Sequence, residues 1–275
     1  TLFRSLVCIC IWMIYEPISE YIQVGNESVG ILLFADGIAV LAENEADLQA
    51  CFDILDAWCK KWIMKINCDK TKIIHFRNPA VPRSECVIRC GNDPVSFIEK
   101  YKYLGLWLTE FLDKSLMAKE LSKTAHRALG LLIAKAKAYG GMPFTVYTHL
   151  YNSQVLPIIT YGSSIWGQSE FSCINAVHNR ACRSFLGVGK RTPNTAVQGD
   201  MGWPTPWYHQ WLSVTRAWCS LSSCMEETRL HKRIYKWSFD HRNRKNWPYR
   251  NQVFYNNARL EFLNDTTLQL LYTGT

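Results

Sequence analysis

Val29-Gly30-Ile31-Leu32-Leu33-Phe34-Ala35-Asp36-Gly37-Ile38-Ala39-Val40-Leu41-Ala42 sets two apolar runs around a single polar pair. That pattern is a β-hairpin with buried strands, closed by Asp36-Gly37 as the tight turn. A carboxylate at the tip of such a hairpin is held rigidly and projects into the cleft that the sheet faces. An Asp-Gly pair is far more often a plain turn, so the hairpin alone assigns no chemistry.

Working outward, Asn44 is placed to cap a helix, with Glu45 and Asp47 in its first turn, where carboxylates favour the helix dipole. Leu48, Cys51, Phe52, Leu55, Trp58 and Trp62 then recur at helical spacing. Residues 64–67 and 72–76 read as short strands around a polar turn. Residues 78–96, with Pro79, Pro82, Gly91 and Pro94, read as a loop or ragged hairpin. Residues 101–109 read as another strand. Upstream, the apolar run 6–15 reads as a buried helix. It is too short to cross a bilayer, and it lacks the small-residue cleavage site of a secretory leader. No other stretch could span a membrane.

From residue 114 the period turns helical, with one helix over 114–139 ended by Gly140-Gly141-Met142-Pro143. Further helical segments follow at about 144–156 and 170–186, then a Gly/Pro-marked loop at 187–206, then a Trp-rich helix over 207–225. The expected fold class is therefore α+β, a mixed region over residues 1–110 and an all-α region over 111–275. Charge divides at the same place. Residues 1–110 hold 11 Lys/Arg against 14 Asp/Glu (−3), and residues 111–275 hold 20 against 9 (+11). A basic half suits a polyanionic partner, and suits a solvated surface equally well.

The composition, 48% hydrophobic and 20% charged, excludes a disordered tail. Eleven scattered cysteines do not make a secreted disulfide framework. The expectation is free thiols in a reducing compartment, so an intracellular chain, nuclear or cytoplasmic and not secreted. The close groupings Cys86/Cys90, His178/Cys182 and Cys219/Cys224 lack the paired spacing of a zinc site.

The order of the motifs carries more than any one of them. Phe34-Ala35-Asp36-Gly37, then Leu41-Ala42-Glu43-Asn44-Glu45, then a helix with Trp58 and Trp62, then Asn67-Cys68-Asp69-Lys70-Thr71-Lys72, then Tyr101-Lys102-Tyr103-Leu104-Gly105 follow one another. In this the chain resembles the reverse transcriptases of non-LTR (LINE-like) retrotransposons. Thr1-Leu2-Phe3 resembles the end of that family's preceding palm motif, and residues 156–162 resemble its helical region after the palm. The resemblance covers about residues 1–200. It implies a partial polymerase palm, an antiparallel sheet with helices, followed by a thumb-like helical region. It also implies RNA-directed DNA synthesis on a template–primer with deoxynucleotides and Mg²⁺. Two carboxylates and the substrate phosphates can share two metal ions, which activate the primer hydroxyl and stabilise the leaving pyrophosphate.

Residue by residue, the resemblance makes Asp36 a metal ligand. Lys70 or Lys72 would lie near the incoming nucleotide's phosphates, and Asn67 would shape the turn that carries them. Tyr103, Leu104 and Gly105 would form a primer-contacting strand, with plain core as the alternative for Leu104. Two departures follow. The family's second hairpin carboxylate is Gly37 here, and the strand with the third is expected before Thr1. The expectation is a truncated, decayed copy without polymerase activity of its own. The alternatives are a non-catalytic nucleic-acid-binding remnant and a helical interaction module.

In the basic half, Lys119, Lys123 and Arg127 at i, i+4 and i+8 share one helix face, with Lys114 and Lys135 near it. With the resemblance, this stripe is expected on the phosphates of a template–primer duplex. Basic and aromatic residues alternate over 231–250, which suits a single strand or a small helical core. Trp203, Trp207, Trp211 and Trp218 are expected as core.

Overall fold

A computed structural model describes residues 4–10, 22–24, 27–34, 37–241, 247–248 and 250–251. In order come β1 (Arg4–Cys10), β2 (Ile22–Val24), β3 (Glu27–Val29), β4 (Ile31–Phe34), β5 (Gly37–Ala42), α1 (Glu45–Lys61), β6 (Lys72–Phe76), β7 (Ile88–Cys90), β8 (Asp93–Val95), β9 (Lys100–Tyr103) and β10 (Leu106–Thr109). There follow α2 (Lys114–Ala138), α3 (Phe144–Gln154), α4 (Leu156–Ile159), α5 (Ser163–Trp166), α6 (Ser172–Leu186), α7 (Asn194–Met201), α8 (Pro206–Cys219), a π turn (Ser220–Cys224) and α9 (Leu230–Asp240). The chain is α+β and divides into two units, Thr1–Asp113 and Lys114–Thr275.

In the first unit an antiparallel sheet runs in the order β4-β5-β1-β6. The hairpin over 29–42 is present, with Ile31 opposite Val40 and Phe34 opposite Gly37. Of the expected turn pair Asp36-Gly37, Gly37 belongs to β5, and Asp36 lies with Ala35 outside the described residues. Both faces of β5 are covered, Ile38 and Val40 on one and Ala39 on the other, and that fixes the register.

The apolar run 6–15 is corrected. Residues 4–10 form β1, paired on one side with β5 and on the other with β6, while 11–15 lie outside the described residues. A short, unbroken apolar run fits a strand covered on both sides as well as it fits a helix, and pairing with two neighbours favours the strand.

Helix α1 starts as expected, with Asn44 Oδ1 accepting from the Asp47 amide at 2.8 Å. Its Leu48, Phe52, Leu55 and Trp58 pack with Ile38, Val40, Ile73 and Ile88 in one core. Trp62 falls at the C-cap and is 59% exposed. Residues 64–67 form no strand, because Ile63 turns the chain at φ 56°. The loop 78–96 contains the hairpin β7–β8, turning at Gly91 with φ 61°. The expected strand over 101–109 is a hairpin, β9 and β10, with Tyr103 opposite Leu106.

A buried charge cluster closes this unit. Glu110, 4% exposed, accepts from Arg77 Nη2 at 3.0 Å and from Arg83 Nε at 2.5 Å. Arg77 also lies over the Phe111 ring at 4.9 Å. The carboxylate thereby joins the end of β6, the loop after it and the end of β10.

In the second unit, α2 buries Met117, Ala118, Leu121, Ala125, Leu129 and Leu132. Behind it, Trp203 stacks on Tyr151 with ring centres 4.4 Å apart, and Tyr151 Oη lies 2.9 Å from His178 Nδ1. Burial lowers the His178 pKa to about 4, so that ring is neutral at pH 7. The loop expected over 187–206 contains α7, with Pro193 at its N-cap and Gly202 at its C-cap, φ 62°. Pro before and Gly after a segment mark helix ends as well as breaks. Nine cysteines from Cys51 to Cys224 are free thiols, with Cys51, Cys59, Cys90, Cys182 and Cys219 buried. No described helix is long and apolar enough to cross a membrane.

Candidate active site and nucleic-acid surface

The sheet register places the starts of β5 and β6, Gly37 and Lys72, at one end. Strand β5 begins at Gly37 opposite Cys10, and β6 begins at Lys72 opposite Cys8. Both therefore start where β1 ends. Phe34, 62% exposed, is at this end with Gly37. Asp36, expected as the metal ligand, lies outside the described residues. No grouping of three or more His, Cys, Asp or Glu that could hold a metal ion is found among the described residues. Glycine at position 37 adds no ligand.

Gly37 is not there for its conformational freedom. Its φ is outside the left-handed region, and among the described residues a Cβ placed on it would meet Phe34 O, at 3.3 Å. A side chain at 37 needs a few tenths of an ångström of give and no backbone strain.

The Asn67–Lys72 turn is built by Asn67. Its carbonyl accepts from the Thr71 amide at 2.9 Å, and its Oδ1 accepts from the Lys70 amide at 3.1 Å. This turn borders an open cleft of about 620 Å³ that Lys65, Asp69, Lys72 and Asp93 line. The two lysines expected near phosphates are thereby separated. Lys72 lies in the cleft with Nζ donating to Ser96 Oγ at 2.9 Å, whereas Lys70 is exposed and outside the lining.

Tyr103, Leu104 and Gly105 come together as a hairpin end and not as a run of strand. Leu104 and Gly105 form the two-residue turn at φ 46° and 84°, the left-handed pair that such a hairpin requires. Leu104 is 43% exposed, which removes the core alternative for it. A leucine held at positive φ costs about 1–2 kcal/mol, and residues kept in that state cluster at functional sites.

In the second unit the stripe lies on the exposed face of α2. Lys119, Lys123 and Arg127 are all exposed, opposite the buried face of α2. Lys123 pairs with Glu120 at 2.7 Å and Arg127 donates to Thr124 Oγ1 at 3.2 Å; exposed pairs of this kind are weak and exchange readily. Lys135 is exposed too. Lys114 is corrected: it is partly buried, and burial and the nearby Arg250 lower its pKa.

The aromatic and basic tail divides. Lys232 is 4% exposed, with Nζ on Ser222 O at 2.5 Å, so it is structural. Trp247 donates from its indole to Ser164 O at 2.8 Å and packs within the unit. Arg242, Arg244, Lys245 and Tyr249 lie outside the described residues. Of the four tryptophans expected as core, Trp203 fits; Trp207 is 39% exposed, edge-on to Trp211. Sequence reasoning missed the Glu110 cluster and a basic cleft beside α6, both made by residues far apart in the chain.

Residues 5–108 match the family model described as reverse transcriptase (RNA-dependent DNA polymerase). Over 177 residues the chain is 28% identical to a probable RNA-directed DNA polymerase from transposon BS of Drosophila melanogaster. That alignment covers 61% of this chain and 20% of the transposon protein, so the chain spans about a fifth of that relative. It is longer than the first unit and reaches into the helical one. Residues 5–108 are therefore similar to a reverse transcriptase domain, and the helices that follow share in the likeness to a transposon polymerase.

Proposed function

We propose that this chain is the C-terminal palm and thumb-like portion of a non-LTR (LINE-like) retrotransposon reverse transcriptase, and that by itself it grips a template–primer without extending it. The observation that carries the reading is the match over residues 5–108 together with Gly37 where the family's second hairpin carboxylate would stand. In the intact family Mg²⁺ supplies charge neutralisation at the transferring phosphates. In this chain Asp36 would be one ligand and Lys72, in its cleft, would face the phosphates of a deoxynucleotide. The Tyr103–Gly105 hairpin end would contact the primer, and the stripe on α2 would lie along duplex phosphates without reading bases. Free buried thiols favour an intracellular setting, nuclear or cytoplasmic.

The expected result is no primer extension by the purified chain on an RNA or DNA template with Mg²⁺, beside retained template–primer binding. Template-dependent extension above a no-enzyme control, abolished by Asp36→Ala, would overturn the assignment of inactivity. A second reading, a remnant that only binds nucleic acid, is favoured by the +11 charge of residues 111–275.

A further inference from the structure

The second unit has an open cleft of about 920 Å³ between the C-terminal part of α2, α6 and the segment 188–198. Among the described residues four cationic side chains line it, Lys137, Arg180, Arg183 and Lys190, against one carboxylate, Glu170. They have separate tasks. Arg183 donates to Thr192 O at 3.0 Å and to the Asn194 side chain, so it holds the turn after α6 in place. Arg180 is exposed, with Nη1 3.3 Å from His126 Nδ1. Burial, and Arg180 itself, push the His126 pKa down, so a neutral imidazole orients the guanidinium without competing for an anion. Lys137 and Lys190 are exposed and in no ion pair among the described residues. Glu170 accepts from Asn175 Nδ2 at 2.6 Å, which occupies part of its charge.

Side-chain amides also line this cleft. Asn179 is 6% exposed and accepts from Gln198 Nε2 at 2.8 Å, with Asn175 one turn away on α6. Each amide offers a donor and an acceptor. Among the described residues the lining holds amides and cations and no aromatic ring, unlike the stacking platforms that bind single strands without sequence preference.

We propose that this cleft takes one strand of RNA or DNA, with backbone phosphates on Lys137, Arg180 and Lys190 and base edges on the amides. It rests on the reading of this unit as nucleic-acid-binding. A concave site lined by amides suits splayed, unpaired bases, whose edges are free. A duplex can be held by phosphate contacts alone, and the exposed cations of the α2 stripe offer contacts of that kind. The unit thus holds a single-strand site distinct from its duplex surface.

The test uses the full chain and three proteins: the parent, an Arg180→Glu/Lys190→Glu variant, and a Lys119→Glu/Lys123→Glu/Arg127→Glu variant. All five positions are exposed, and thermal melts check that each variant folds. Fluorescence anisotropy measures binding to a labelled mixed-sequence single-stranded RNA and to a blunt duplex of the same sequence. The cleft variant is expected to weaken single-strand binding about tenfold or more, as lost phosphate contacts require, and to leave duplex binding unchanged. The stripe variant is expected to do the reverse. A cleft variant that binds single strands like the parent, or loses both ligands alike, overturns the proposal while leaving the nucleic-acid reading intact. Poly-glutamate displacing the RNA at equal mass also overturns it, since the cleft would then accept any polyanion. A parent that binds neither nucleic acid overturns the underlying reading itself.

Discussion

Replacing Glu110 with alanine is expected to destabilise the first unit by about 3 kcal/mol, roughly a hundredfold in its folding equilibrium. The carboxylate is 4% exposed and bonds two guanidiniums, Arg77 at 15% side-chain exposure and Arg83 at 34%. Its removal leaves Arg77 charged and largely buried without its partner, which is the costly half of breaking a buried ion pair. Arg83 reaches water and recovers part of its loss, which places the expectation at the low end of the range for such pairs. Glu110→Gln separates charge from packing. It keeps the volume, so it should lose nearly as much if charge pairing is what holds the cluster. Urea unfolding followed by hydrogen exchange of the β6 and α1 amides reads the first unit within the full chain. Midpoints for both variants that match the parent would mean that the cluster contributes nothing to this fold.

Reversing the stripe with Lys119→Glu, Lys123→Glu and Arg127→Glu is expected to lower duplex affinity on the order of a hundredfold at low salt. Each phosphate contact contributes about 0.9 to the slope of log affinity against log salt, so the slope should fall by about three. The three side chains are exposed on a helix whose opposite face is buried, so the change acts on binding and not on the core. The new acidic residues beside Glu120 cost the helix a few tenths of a kcal/mol by like-charge repulsion, which a triple alanine variant controls for. An affinity that ignores both salt and these substitutions would remove α2 from any duplex contact.

The hairpin of residues 29–42 was legible because its apolar runs are long and broken once, and α1 because cap, first-turn charges and period agree. The strand β1 was not, since an unbroken apolar run carries no period. The turn at 104–105 hid inside an apparent strand, because leucine gives no sign of the positive φ it adopts. Helix α7 hid in a segment whose Pro193 and Gly202 read as breakers when they are its boundaries. Among site residues, Lys70 and Lys72 are near neighbours in sequence, yet only Lys72 reaches the cleft, because side chains of a turn and of the strand after it leave in different directions. The basic cleft was invisible for a different reason. Lys137 and Arg180 stand on helices far apart in the chain, and only their packing makes a site of them.

The most direct test of the reverse transcriptase reading compares four proteins in one primer-extension assay with Mg²⁺. They are this chain, its Gly37→Asp variant, a fusion of the chain to an upstream fingers-and-palm segment from a related element, and that fusion carrying Gly37→Asp. The backbone at 37 accepts a side chain, with Phe34 O the near contact among the described residues. The substitution should therefore fold, and the adjacent carboxylates should raise the pKa of one of them. Measurable extension is expected in the fourth protein, with at most a trace in the third, because two metal ions need carboxylates from two strands. Extension by the Gly37→Asp variant alone would contradict the account, since the chain would then hold a complete metal site.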